Sequence, residues 1–185
     1  MKKLFLFMNV SLDGYFEGPG HDISWAGPSD FDPFSSEQDQ GADAVLLGHQ
    51  TYLMMERYWP TPQAKAAAPK IAQFMNKTLK VAVSHKPFRP DWDNVRVISD
   101  NVIEEVRKLK EGPGKSIAIF GSNTLCVSLM PAGLIDEFQL LVHPVVLGRG
   151  TSLFQGLPAK AELTLTDTRR FRSGHVMLIY VSKGA

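Results

Sequence analysis

Three times in this chain a short apolar run ends in a turn rich in hydroxyl and polar residues. The runs are Ala44-Val45-Leu46-Leu47 before Gly48-His49-Gln50-Thr51-Tyr52, Leu79-Lys80-Val81-Ala82-Val83 before Ser84-His85-Lys86-Pro87, and Ile117-Ala118-Ile119-Phe120 before Gly121-Ser122-Asn123-Thr124-Leu125. Helix-compatible segments follow the first and third, and Pro87 stops the second. Strands alternating with helices over Asp43 to Phe120 argue a mainly parallel sheet. In such sheets ligands sit outside the carboxyl ends of the strands. Gly121 lets the backbone approach a ligand closely, and free N–H groups opening the next helix favour an anion. Many strand-to-helix turns carry glycine for steric reasons alone, so a single turn says little. Three such ends can converge on one polyphosphate ligand.

The rest of the chain fits around this core. Lys3 to Val10 reads as a first buried strand, turned by Ser11-Leu12-Asp13-Gly14 into Tyr15-Phe16-Glu17. Ser29 or Asp30 can cap a helix from about Phe31 to Gln40. Helices are expected over Thr51 to Tyr58, Ala64 to Asn76 with Pro69 near its start, Val102 to Lys110, and Thr124 to Met130. Asn94 to Ile98 reads as a short strand, and Glu137 to His143 as another that continues extended through Pro144 to Leu147. Ala161 to Phe171 and His175 to Val181 alternate around Arg172-Ser173-Gly174 as a β-hairpin. The expected fold is α/β: a mixed, mostly parallel sheet closed by an antiparallel pair, in one domain over residues 1–185.

Composition narrows the function classes. A formal net charge of +1 gives no electrostatic case for nucleic acid or an anionic membrane. No apolar run approaches the ~20 residues a membrane helix needs, and the apolar start at Leu4 is interrupted at Asn9, Ser11 and Asp13. The lone Cys126, set among Leu125, Val127 and Leu129, reads as a buried small hydrophobe and fits a reducing cytoplasm. Cytoplasmic localisation is the expectation. His21, His143 and His175 show no metal-ligand spacing, and no metal is expected.

Four segments in order carry a resemblance: Asn9-Val10-Ser11-Leu12-Asp13-Gly14; Leu47-Gly48-x-x-Thr51-Tyr52; Gly121-Ser122-x-x-Leu125; and His143-Pro144-Val145-Val146-Leu147-Gly148-x-Gly150-x-x-Leu153-Phe154. Together they resemble the dihydrofolate-reductase-like superfamily, and within it the C-terminal reductase domain of RibD riboflavin-biosynthesis proteins in free-standing form. The resemblance implies a three-layer fold with helices on both sheet faces, NADPH as cofactor, and hydride transfer to a pterin-like or ribosylamino-pyrimidine ring. Carried over by position, Gly48, His49 and Thr51 line the cofactor phosphates. Ser84, His85 and Lys86 meet the adenosine 2′-phosphate, and Gly121, Ser122, Asn123, Thr124 and Leu125 the pyrophosphate. Val10 to Asp13 flank nicotinamide and substrate, with Leu147 to Gly150, Gly148 among them, closing the same cleft.

Departures from the pattern bear on catalysis. His49 replaces the arginine that follows the first phosphate glycine in the family. Asp13 and Asp30 are the candidate catalytic carboxylates, although Asp13-Gly14 is also an ordinary turn pair and Asp30 or Asp32 also suits a helix start. No deaminase segment or zinc-type cluster accompanies the reductase motifs, so the two-step riboflavin reaction is not expected of this chain. The expected partners are a small heterocyclic substrate and a second copy in a homodimer, through apolar residues such as Val176, Leu178 and Ile179. The competing reading keeps the fold and phosphate turns as a non-catalytic nucleotide- or pterin-binding module.

Overall fold

The computed structural model describes residues 1–27 and 42–183. The helix expected over Phe31 to Gln40, with Asp30 and Asp32 at its start, lies outside these residues. The backbone groups into two compact units, Met1–Leu4 with Pro33–Ser122 and Phe5–Asp32 with Asn123–Ala185.

The first unit carries four parallel strands: β3 (Ala42–Gly48), β4 (Leu79–Val83), β5 (Val95–Ile98) and β6 (Ser116–Phe120). Their order is β5-β4-β3-β6. Register pairs Gly48 with Val83, and Leu46 with Ile119, so the three turns singled out by sequence leave the same edge. Val45, Leu46, Leu47, Val81, Ala82, Ile117, Ala118 and Ile119 are fully buried, which is why these runs lack polar alternation. Around them run α1 (His49–Tyr58), α2 (Pro62–Ala67), α3 (Pro69–Lys77) and α4 (Val102–Glu111). The single helix expected over Ala64 to Asn76 is two. Pro69 has no N–H to continue a helix and sits at the first position of α3, and Ala68 takes φ −144°, ψ 70° at the break.

One buried cation stands out against the apolar runs. Lys80 in β4 is fully buried, and its Nζ donates to the carbonyls of Met75 at 3.0 Å and Asn76 at 3.2 Å, in the last turn of α3. The ammonium lies 4.4 Å from the centroid of the Trp92 ring. Burial pulls its pKa down to about 8, with Asp93 acting in the opposite sense. Lys80 thus closes a helix end whose carbonyls have no partner within the helix. Asn76 extends this polar seam, donating to the carbonyl oxygens of Trp59 and Ala72 and accepting from Trp92 Nε1 at 2.8 Å.

The second unit holds β1 (Lys3–Ser11) beyond its first residues, β2 (Tyr15–Glu17), α5 (Asn123–Leu129), β7 (Glu137–His143), β8 (Thr151–Ser152), β9 (Leu163–Arg170) and β10 (Val176–Ser182). β1 and β7 run parallel, whereas β10 is antiparallel to both β7 and β9. The mixed, mostly parallel α/β fold and its terminal hairpin therefore follow the sequence reading. Pro144 to Leu147 carry no strand pairing; β8 follows and pairs with β2. Leu141, Phe171 and Met177 form a small core with Phe7 and Ile179 packed against it. Cys126 is fully buried in α5, and burial pushes its thiol up to about 12, as a small core residue requires. No helix among the described residues is long and apolar enough to cross a membrane.

Candidate functional site

In the first unit, two of the glycine turns touch. A Cβ on Gly48 would meet the Ser122 hydroxyl and stand 2.6 Å from Ser122 Cβ. One on Gly121 would stand 3.0 Å from the Thr51 methyl and 3.2 Å from its hydroxyl. Gly121 has φ +77° and Ser122 φ +79°, a left-handed pair in which only the glycine is free of steric cost. Gly48 is therefore glycine because the turns pack together. That packing sets the start of α1 beside the Gly121-Ser122 backbone.

The groups offered at this edge are those an anion needs. Gly48 caps α1 with no side-chain bond, so the N–H groups of its first turn lack helical partners. Thr51 is half-buried, and its hydroxyl has no hydrogen-bond partner among the described residues. His49 packs edge-on against Phe88 at 4.9 Å between centroids, and its Nδ1 is buried without a hydrogen-bond partner among the described residues. An orphaned buried donor or acceptor is costly, and a ligand atom there would relieve it.

The β4 end is more specialised than its sequence suggests. Ser84 is buried; its hydroxyl donates to the Lys86 carbonyl at 2.7 Å and accepts from the Lys86 N–H at 3.1 Å. The proton of Ser84 thus closes its own turn. What this strand end presents outward is Lys86 and His85, both exposed, with His85 Nδ1 3.1 Å from the Ser99 carbonyl.

In the second unit, the turn after β1 and the loop after β7 form one structure. Leu12 N donates to the Val145 carbonyl at 2.8 Å, and Leu153 N to that of Gly14 at 3.4 Å. Asp13 joins them as an acceptor, from Ser11 Oγ at 2.6 Å, Leu147 N at 3.1 Å and Gly148 N at 2.7 Å. The Ser11 hydroxyl, then the Gly148 and Leu147 N–H groups, hold its pKa down to about 2. Asp13 is ionised at neutral pH and has no proton to donate. Gly148 N–H is committed to it. Val10 is buried at the end of β1, and at the start of α5 Asn123 Nδ2 donates to the Gln155 carbonyl at 2.8 Å. Thr124 is exposed, and the Leu125 side chain lies in the core.

Sequence reasoning set His143 and His175 aside, and here it missed a connected group. His143 Nε2 lies 3.0 Å from Asn9 Oδ1, His175 Nε2 3.0 Å from His143 Nδ1, and Ser173 Oγ 2.8 Å from His175 Nδ1. Both rings are buried, and the indole of Trp25 meets His143 edge-on at 5.3 Å. Burial, then the neighbouring His175, pulls the His143 pKa down to about 4. The pairing joins residues far apart in the chain, and no local spacing announces it.

The model of the RibD C-terminal domain family matches residues 2–177. The chain belongs to the RibD C-terminal domain family. It is similar to the uncharacterised protein YyaP of Bacillus subtilis (strain 168), 32% identical over 180 residues, covering 97% of this chain and 94% of that protein. Among solved structures it resembles a candidate riboflavin biosynthesis protein from Shewanella sp. PV-4, with a TM-score of 0.78 at 17% identity, covering 98% of this chain and 99% of that one. It also resembles a dihydrofolate reductase from Enterococcus faecalis complexed with NADP(H), with a TM-score of 0.60 at 14% identity over 98% of this chain and 96% of that one. These structural likenesses establish a dihydrofolate-reductase-like fold. In this RibD C-terminal domain the turns of the four segments meet in two pairs, one within each unit. The Gly48 turn meets the Gly121-Ser122 turn, and the Ser11 to Gly14 turn meets the loop after His143.

Proposed function

We propose that this protein is an NADPH-dependent reductase that transfers a hydride to a pterin-like, ribosylamino-pyrimidine or related small heterocyclic acceptor. The observation that carries the reading is the packed pair of turns in the first unit. It combines first-turn N–H groups of α1, the Thr51 hydroxyl and His49 Nδ1 at one sheet edge, all without hydrogen-bond partners among the described residues. These donors suit a dinucleotide phosphate. His49, Thr51 and the Gly121-Ser122 backbone would hold the phosphates next to the β3 and β6 ends, with Asn123 and Thr124 following in the chain. Lys86 and His85 would face a 2′-phosphate, where a lysine point charge suits a phosphate monoester. NADPH, when bound, supplies the hydride, so the chain need only bind, orient and exclude water.

Family membership and the NADP(H)-bound relative support the reading. In the second unit, the Asp13 clamp fixes the shape of the turn after Val10, and its ionised state favours a role in holding that turn over one as a proton donor. The reductase is read as one functional domain, cytoplasmic, and a homodimer that covers the partly exposed Leu178 and Ile179.

The competing reading is a non-catalytic nucleotide- or pterin-binding module. It draws support from one observation: both carboxylate oxygens of Asp13, one of the two candidate catalytic acids, are engaged by its own turn and by the loop after β7.

Thermal unfolding with NADPH and with NADH tests the proposal. At about 100 times the dissociation constant, binding adds roughly 2.7 kcal/mol, a rise in Tm of about 5–10 °C for a chain of this size. A rise with NADPH well above that with NADH is expected. No rise with either removes the reductase reading. Stabilisation by NADPH without its oxidation by any pterin, pyrimidine, flavin or quinone tried favours the binding module.

A further inference from the structure

The hydrogen-bonded series Ser173–His175–His143–Asn9 has a direction. A neutral imidazole carries one donor and one acceptor nitrogen. Asn9 Oδ1 only accepts, so the proton 3.0 Å away belongs to His143 Nε2. His143 Nδ1 must then accept, which makes His175 Nε2 a donor and leaves His175 Nδ1 to accept from the Ser173 hydroxyl. Both rings are more than nine-tenths buried, His143 being 3% and His175 6% exposed. A second proton on His143 would point at the donor of His175, and the same burial keeps His143 neutral well below physiological pH.

The series ends at the Asn9 side-chain nitrogen. Asn9 lies near the carboxyl end of β1, on the same face as Leu141 and two residues before Ser11. Its amide nitrogen has no hydrogen-bond partner among the described residues. It is not buried either, since the only orphaned buried side-chain polar atom among them is His49 Nδ1. The buried rings thus hold one half of an amide and leave its two donors free, at a strand end where this class of sheet receives ligands. A freely rotating asparagine would present donor and acceptor about equally. Here only the donor faces outward.

We infer that Asn9 is a substrate-recognition residue that donates from its side-chain nitrogen to a carbonyl oxygen or ring nitrogen of a planar heterocycle, and that His143 and His175 are positioning residues that fix the direction of its amide. The inference rests on the reductase reading for the presence of such a substrate and adds to it a hydrogen-bonding preference. Ligands with an acceptor at that edge are favoured, and analogues with a donor there are rejected. Trp25, edge-on to His143 and anchored by its Nε1 on the Asp22 carbonyl at 3.1 Å, keeps the ring from turning.

Nitrogen NMR of the histidine side chains, together with calorimetric titration of 6-aminouracil and 7,8-dihydrofolate as probes, tests this on the intact chain. Both His143 and His175 are expected as Nε2–H tautomers at neutral pH, with the Asn9 amide protons shifting as a probe is added. Asn9→Leu and His143→Leu should each weaken probe binding by about tenfold, the effect of one lost hydrogen bond. His143→Gln can both donate to Asn9 and accept from His175, and should bind within about threefold of the parent. Stabilisation by NADPH should be the same in all four proteins. An Nδ1–H tautomer at either ring, undiminished probe binding by Asn9→Leu, or no binding of either probe to the parent overturns the inference. Should His143→Leu fail to fold, the tautomers and Asn9→Leu decide it. Absent stabilisation of the parent by NADPH counts against the reductase reading itself, and is read separately from the probes.

Discussion

Asp13 and Lys80 are charged side chains whose surroundings set their roles. Asp13 accepts from Ser11, Leu147 and Gly148, so its ionised form belongs to the folded turn. Its pKa falls from 3.8 to about 2 on folding, so the unfolded chain binds the proton more readily. The stabilisation is complete above the unfolded value and is lost as pH falls through the folded one. Asp13→Asn should therefore remove a part of the acid dependence of stability between about pH 4 and pH 2, with little change in slope elsewhere. Urea unfolding at stepped pH measures this, and identical profiles for the two proteins would contradict it. Lys80 shows the opposite case: an ammonium drawn into the core to close α3 by bonding two carbonyls there.

At the scale of elements, the deciding contact is between two turns. The β3-to-α1 turn passes so close to the β6 end that a methyl group on Gly48 has no room beside Ser122. Gly48→Ala should cost about 1–3 kcal/mol, the usual penalty for overpacking. Adding Ser122→Gly removes the obstructing side chain and relieves a left-handed φ of +79°, so the double variant should recover at least half of the loss. A double-mutant cycle by urea denaturation isolates the coupling. Strictly additive losses would show that the two turns do not meet in solution. The helix break at Ala68 has a local cause, because Pro69 has no N–H to carry a helix through and instead begins α3, so the one helix expected over Ala64 to Asn76 forms as two.

For the whole molecule, burial orders the strands by expected stability. The apolar stretches of β3, β4 and β6 are almost wholly buried, whereas β9 is exposed from Thr164 to Arg170 and lies at the edge of its sheet. Amide hydrogen exchange should find β3, β4 and β6 most protected and β9 least. Equal protection would mean that β9 is covered in solution, as by a second copy. The strand runs, their turn glycines, the late hairpin and the family were legible in the sequence, because apolar periodicity, glycine and proline act locally. Tertiary structure alone decided the rest. It closed Ser84 on itself, turned Asp13 into a clamp for a loop 134 residues away, and buried Lys80 at a helix end. It also joined His143 to His175 and Asn9. Each of these is a polar group whose partner is set by burial and by the path of the backbone, and a hydrogen bond leaves no periodicity in the chain that makes it, whether it spans two residues, as at Ser84, or 134, as at Asp13.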